Sequence, residues 1–227
     1  MFPLLDRNII PHVTDMILSY LESKDLAASM LVCREWCQKA KPFLYDRFII
    51  LQQKEGFSPL QEAVIYGYDH LVGYLLENYQ DLVNEFNHIG WTALMVAAFK
   101  GRKKITRMLL EREDIDVNIK SRWTGRSALS LAASQGRAGV VKMLLARREI
   151  HVNSCDDLGI TVLMQACREM RVSVVEELLK HPDTDVNLRD INRVTALSHT
   201  KKLMDRNTGN SLNVWIIIKM LKERNAI

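Results

Sequence analysis

From Gly56 onward, apolar residues recur at a long fixed period rather than in one continuous helical stripe. The segments GFSPLQEAVIYG, GWTALMVAAFKG, GRSALSLAASQG and GITVLMQACREM, which start at Gly56, Gly90, Gly125 and Gly159, align without gaps. Leu60, Leu94, Leu129, Leu163 and Leu197 are separated by 34, 35, 34 and 34 residues, and Asn84, Asn118, Asn153 and Asn187 by 34, 35 and 34. Each unit then carries a leucine pair (Leu75-Leu76, Leu109-Leu110, Leu144-Leu145, Leu178-Leu179) and a polar stretch ending in Val-Asn. Self-similarity at this period marks a stack of repeats, and the pattern predicts two short helices and a loop per unit.

Residue types within the unit fit that prediction. Ser58, Thr92, Ser127, Thr161 and Thr195 stand where a first helix starts, and each hydroxyl is suited to accept a bond from an orphan backbone N–H. Alanines at 63, 97, 98, 132, 133 and 166 leave room for neighbouring helices to approach. Gly67, Gly101 and Gly136 are placed to end the first helix in a left-handed turn. The fourth unit has Met170 at that position, and the fifth has Arg193 where a glycine opens the other units. The third unit is one residue longer, which predicts a longer loop around Trp123. In the fifth unit an extra loop near Asp205 to Asn213 delays the closing helix to about Leu212 to Glu223. This pair is expected to cap the stack, with Trp215 in its core.

The 34-residue register is absent between Leu5 and Leu51. Ile10, Ile17, Leu18 and Leu21 form one helical stripe. Ser23 is placed to cap a second helix carrying Leu26, Met30 and Leu31, and Trp36, Ala40, Phe43 and Leu44 form a third stripe. Three short helices in about 45 residues seldom bury all their apolar surface, so a docking partner is expected on physical grounds.

Composition narrows the function classes. The 227 residues are 48% hydrophobic and 26% charged with a net charge of +4, a folded chain without a massed basic tail. Nucleic acid is therefore not the first partner to expect. No stretch approaches the roughly 18 apolar residues of a membrane span, so neither secretion nor membrane insertion is expected, and no cysteine precedes Ile227 for lipid attachment. Cys33, Cys37, Cys155 and Cys167 lack zinc or redox spacing; the four-residue spacing of Cys33 and Cys37 has two readings, a bridge or metal clip and, favoured, reduced, partly buried cytosolic thiols acting as small hydrophobes. His88, His151 and His181 fall in loops with no nucleophile or paired carboxylate at fixed spacing, so no catalytic residue, metal or cofactor is expected. Gly101-Arg102-Lys103-Lys104 with Arg107 has two readings, a nuclear-import or phosphate patch and, favoured, a solvated turn and helix start.

The units SPLQEAV, TALMVAA, SALSLAA and TVLMQAC resemble the T-P-L-H-x-A-A motif of ankyrin repeats, and the resemblance covers residues 54–227. The motif histidine is replaced throughout, by Gln61, Met95, Ser130, Met164 and Ser198. The N-terminal segment resembles the F-box, through Pro11, Ile17-Leu18, Leu21, Asp25-Leu26, Val32-Cys33-Arg34 with Trp36, and an apolar tract from Phe43 to Ile50. Together they imply an all-α protein: a three-helix F-box over 1–53, four ankyrin repeats over 54–187 built from helix pairs with hairpin-like fingers, and a degenerate fifth repeat over 188–227.

The F-box resemblance implies binding to the Skp adaptor, which joins a cullin scaffold in modular ubiquitin ligases, with the ankyrin stack choosing a protein substrate. Carried over position by position, Pro11, Ile17, Leu18, Leu26, Val32 and Trp36 are the adaptor-binding candidates, although Leu21 and Trp36 equally suit the interior of the helical unit. The resemblance further implies a target held by the fingers and the inner faces of the first helices. The finger strip would include His88, Ile89, Trp91, Arg122, Trp123, Arg126, Leu158 and Ile160, and the helix strip Glu62, Tyr66, Val96, Phe99, Ser134 and Arg168. Aromatics and arginine dominate interface energetics, so Tyr66, Trp91, Phe99, Trp123, Arg126 and Arg168 are the substrate-binding candidates; packing across the finger is the competing reading for Trp91. The expected protein is a non-enzyme of the cytoplasm, with the nucleus as a second compartment, monomeric apart from the ligase complex. A non-catalytic scaffold or inhibitor, including a pathogen effector acting on host ubiquitin machinery, is the alternative.

Overall fold

The first helix of each unit starts on a hydroxyl that holds its own third amide. Ser58, Thr92, Ser127 and Thr161 accept hydrogen bonds from the backbone N–H of Gln61, Met95, Ser130 and Met164, and Thr195 Oγ1 accepts from Ser198 N. At Ser58 the cap is reciprocal, because Gln61 Oε1 also accepts from Ser58 N. The computed structural model describes residues 56–205 and 211–226. In chain order its helices are α1 (Pro59–Tyr66), α2 (Asp69–Asn78), α3 (Ala93–Lys100), α4 (Lys103–Leu110), α5 (Ala128–Ser134), α6 (Ala138–Leu145), α7 (Val162–Arg168), α8 (Val172–Lys180), α9 (Ala196–Asp205) and α10 (Ser211–Glu223). Among the described residues there is no extended strand. The bridges Lys120 to Ser127 and Cys155 to Thr161 are isolated, so the architecture is all-α as expected.

Odd-numbered helices stack on one another in one layer and even-numbered helices in a second. The first layer is close because its contacts are small: Ala63, Ala97, Ala98, Ala132, Ala133 and Ala166 are fully buried. The leucine pairs fill the second layer, where Leu75, Leu109, Leu144 and Leu178 have no exposed surface.

Polar groups then set the register between neighbouring units. The Val-Asn asparagines each use both amide atoms across the junction. Asn84 donates to Asp114 O at 2.7 Å and accepts from Asp116 N at 3.1 Å. Asn118 bonds Glu149 O and His151 N in the same way, and Asn153 bonds Asp183 O and Asp185 N. Arginines form a second series. Arg102, Arg137 and Arg171 donate back to the carbonyls of Ile65, Phe99 and Ser134 at the end of the preceding first helix, where a cation also meets the negative helix terminus. Arg102 is thus bonded within the stack, Lys104 pairs with Asp69 at 2.9 Å, and Lys103, Lys104 and Arg107 are exposed.

The glycine between the paired helices is required by shape as well as by backbone angle. Gly101 has φ of 76°, and a Cβ there would lie 2.7 Å from Arg137 Cδ. Met170 occupies the same register with φ of 53°. Arg193, at φ of 60°, is the corresponding exception at the fifth finger.

The closing helix starts at Ser211, one residue before the expected position, while residues 206–210 of the extra loop lie outside the described residues. Trp215 is not core. It is 56% exposed, whereas Val214, Ile217 and Leu221 are fully buried. Those three share the helical face turned to α8 and α9, and Trp215 lies one position off that stripe. Cys167 sits between α7 and α9, where burial pushes its thiol up to about 12 against the lowering effect of a hydrogen bond with Thr200. That inert thiol packs as the small hydrophobe expected.

Two substitutions test this account. Asn118→Ala, which removes both junction bonds of one asparagine, is expected to lower unfolding free energy by about 2 kcal/mol in urea denaturation. Met170→Gly relieves the left-handed strain and is expected to raise stability by about 1 kcal/mol; an unchanged or lower melting midpoint would show that the strain is offset locally.

Candidate functional site

Four fingers project from the described stack, each closed by a polar side chain at its base. Asn87 Oδ1 accepts from Ile89 N and Trp91 N, Asp156 Oδ1 from Leu158 N and Ile160 N, and Asp190 Oδ1 from Asn192 N and Val194 N. Such a bond organises a tight turn without a strand ladder. The third finger is built on Ser121, whose N–H reaches Arg126 O, while in the other fingers the closing carbonyl lies four residues on, as in Asn87 N to Trp91 O. The extra residue of the third unit is therefore in this turn, and Trp123 stands beside it, as expected from the spacing. Single backbone bonds tie each finger to the one before: His88 N to Gly56 O, Arg122 N to Gly90 O, Asp157 N to Thr124 O and Ile191 N to Leu158 O.

The expected substrate-binding residues fall into three environments. Tyr66 and Trp123 are exposed, and Tyr66 stacks on Tyr68 with ring centroids 5.6 Å apart. Burial, with a smaller contribution from Tyr66, raises the Tyr68 hydroxyl above its ordinary pKa. Trp91 and Phe99 are half-buried and pack together at 5.2 Å, tilted by 56°, which ties Trp91 to the last turn of α3. Arg126 is half-buried with its Nε 3.9 Å from the buried Asp156 carboxylate, and Arg168 is exposed at the end of α7. Gln165, one helical turn before Arg168 and Glu169, is buried with Oε1 unpaired while its amide donates to Glu169.

Several strip residues are not available to a ligand. Glu62, Val96, Ser134 and Ile160 are buried, because the finger of the following unit and the neighbouring first helix cover them. Sequence reasoning missed Ile191, an exposed apolar tip, and Phe86, on which the Arg122 guanidinium lies at 4.5 Å. It also missed the Asp190 to His199 contact, 2.8 Å long, which joins the fifth finger to α9. The spacing of nine residues across a helix start carries no local signal for that pair. The adaptor-binding candidates Pro11, Ile17, Leu18, Leu26, Val32 and Trp36 lie outside the described residues.

Among the described residues no three metal-ligating side chains converge and no helix is long and apolar enough to cross a membrane. A stack of helix pairs with ordered fingers and exposed aromatics defines a protein-interaction module. The model for ankyrin repeats matches in three copies over residues 28–121 and 114–190, and the F-box domain model matches residues 8–44. The chain belongs to the ankyrin-repeat family and carries an F-box at its N-terminal end. The two matches overlap over residues 28–44, where the 34-residue register is absent. Over 71 residues the chain is 38% identical to the ankyrin repeat and SAM domain-containing protein 6 of Mus musculus, and 37% identical to its counterpart in Rattus norvegicus. The aligned region is 31% of this chain and 8% of each relative. F-box and ankyrin domains are typically non-catalytic interaction modules, and the pairing fits a protein-interaction adaptor.

Asp190 links finger geometry to pH. Burial pushes its pKa up, but hydrogen bonds from Val194 N, His199 and Asn192 N outweigh that and hold the carboxyl below its ordinary value. A depressed folded-state pKa gives stability that is present above the ordinary range near pH 4 and lost as pH falls through the folded value. Asp190→Asn is therefore expected to flatten the acid limb of the stability curve and to cost about 1.5–3 kcal/mol at neutral pH. A variant with the acid limb of the parent would assign the finger's stability to backbone bonds alone.

Proposed function

We propose that the protein is the substrate-recognition subunit of a Skp/cullin/F-box ubiquitin ligase. The reading is carried by the presence of an F-box match over residues 8–44 in one chain with a repeat stack exposing aromatic and arginine side chains. Residues 1–53 are the F-box that docks the Skp adaptor, and through it the cullin, by Pro11, Ile17, Leu18, Leu26, Val32 and Trp36. Residues 54–187 and the capping unit 188–227 hold a protein target on Tyr66, Trp91, Phe99, Trp123, Arg126 and Arg168. The chemistry of ubiquitin transfer belongs to other subunits. This chain contributes proximity, raising the effective concentration of target lysines beside the charged ubiquitin carrier. The reading places the protein in the cytoplasm or nucleus, where its ligase partners work.

Pull-down of the purified full-length chain with the Skp adaptor, beside a version lacking residues 1–53, tests the first half. Binding is expected only with those residues present; no binding by the folded full-length chain sinks the ligase reading. For the second half, Trp91→Ala with Trp123→Ala is expected to retain adaptor binding and to lose at least about tenfold in affinity for a captured target. Equal loss of both activities would refute the division of labour.

A further inference from the structure

The fifth unit carries lysine at two positions that are buried in other units. Lys201 stands in the register of Val64, Ala98, Ala133 and Cys167, all of them fully buried, yet Lys201 is exposed. Cys167 shows what that position meets, because its thiol bonds to Thr200 of the following first helix. Backbone bonds align the second helices: Arg224 N donates to Leu221 O as His181 N does to Leu178 O and Arg112 N to Leu109 O. Leu221 is thus the first leucine of the pair. Lys222 replaces the second, whose equivalents Leu76, Leu110 and Leu179 are buried. The side chains of Lys201, Lys219 and Lys222 form no hydrogen bond or ion pair among the described residues. Beside these cations Trp215 is 56% exposed, and Trp215, Ile218, Lys219, Lys222 and Glu223, which share one face of α10, line an open cleft of about 360 Å³.

Charge selects the occupant. A further helix pair stacked on this unit would bury Lys201 and Lys222 without counter-ions, which is strongly unfavourable. A second copy meeting the first across a two-fold axis would set the same lysines against each other. An anionic membrane suits the face less well, because the lining is a cleft rather than a plane and Glu223 on its rim opposes anionic headgroups. An apolar floor of Trp215 and Ile218 beside unpaired cations is complementary to an apolar side chain flanked by carboxylates. We infer that the fifth unit docks an acidic segment of a second protein on α10, with an aromatic or leucine side chain seated in the cleft and carboxylates beside Lys219 and Lys222. The cleft belongs to a second-layer helix, whereas the target surface of the proposed function lies on the fingers and first helices. The occupant is therefore separate from that target, and the inference stands without the ligase reading.

The test is a display library of random dodecapeptides, selected on the immobilised full-length chain and counter-selected on a variant carrying Trp215→Ala with Lys222→Glu. Enriched peptides are expected to share an aromatic residue or leucine between carboxylates. In anisotropy titrations the tightest of them is expected to lose at least about tenfold in affinity with Trp215→Ala, and again with Lys219→Glu plus Lys222→Glu, while Trp123→Ala leaves binding unchanged. Exchanging the peptide's carboxylates for lysines is expected to restore binding to the variant in which both lysines are reversed. The melting temperature is expected to hold in every variant, because the substituted side chains are exposed. No enrichment, enriched peptides without carboxylates, or equal loss with Trp123→Ala would each overturn the inference. So would a dimer of this chain that Trp215→Ala abolishes, or binding of phosphatidylserine vesicles in place of the peptides. Failure of the full-length chain to bind the Skp adaptor would sink the ligase reading and leave this docking face standing.

Discussion

A helix pair of this length buries one face only when another pair covers it, and the junction asparagine decides how the two meet. Its carboxamide donates to one backbone carbonyl and accepts one backbone N–H of the next unit, as at Asn84, Asn118 and Asn153. These bonds act beside the arginine bonds and the finger-to-finger backbone bonds of the same junctions. Once the junction is fixed, the alanines of α1, α3, α5 and α7 are held in contact and the leucine pairs close the outer layer. Asn187 continues the series into the fifth unit, where its amide donates to Asn225 O at 3.2 Å.

The arginine series has a second effect. Arg137 crosses Gly101, and its guanidinium occupies space that a side chain on that residue would need. Glycine is thus required twice, for the left-handed backbone and for the passage of the next unit's arginine. Met170 carries a side chain at the same left-handed position, with φ of 53°. The cap is incomplete in the same region, since Trp215 and Leu212 remain exposed on α10.

Rigid bases and variable tips divide the work of the fingers. Asn87, Ser121, Asp156 and Asp190 are conventional turn residues tied to their own loops, so the tips project from fixed positions at the repeat spacing. Such preorganisation reduces the entropy lost on binding. Tip chemistry then varies without altering the stack: an isoleucine, a tryptophan beside two arginines, a leucine beside an aspartate, and an isoleucine near an arginine.

Much of this was legible in the chain. The recurrence of Leu60 and its equivalents fixes the number and phase of the units, and the Ser or Thr ahead of each first helix marks its start within one residue, because capping is a local interaction. The extra residue of the third unit locates the longer finger for the same reason. Exposure was less legible. Glu62, Val96 and Ser134 share the register of a binding face, yet they are buried; Trp215 looks like core, yet it is 56% exposed. Periodicity states which residues share a helical face. It does not state how much of that face a neighbour reaches, since that depends on long-range packing between segments 34 residues apart. The Asp190 to His199 bond and the Trp91 to Phe99 contact form within single units, nine and eight residues apart, where the turn from finger into first helix brings the side chains together and the repeat period carries no signal for them.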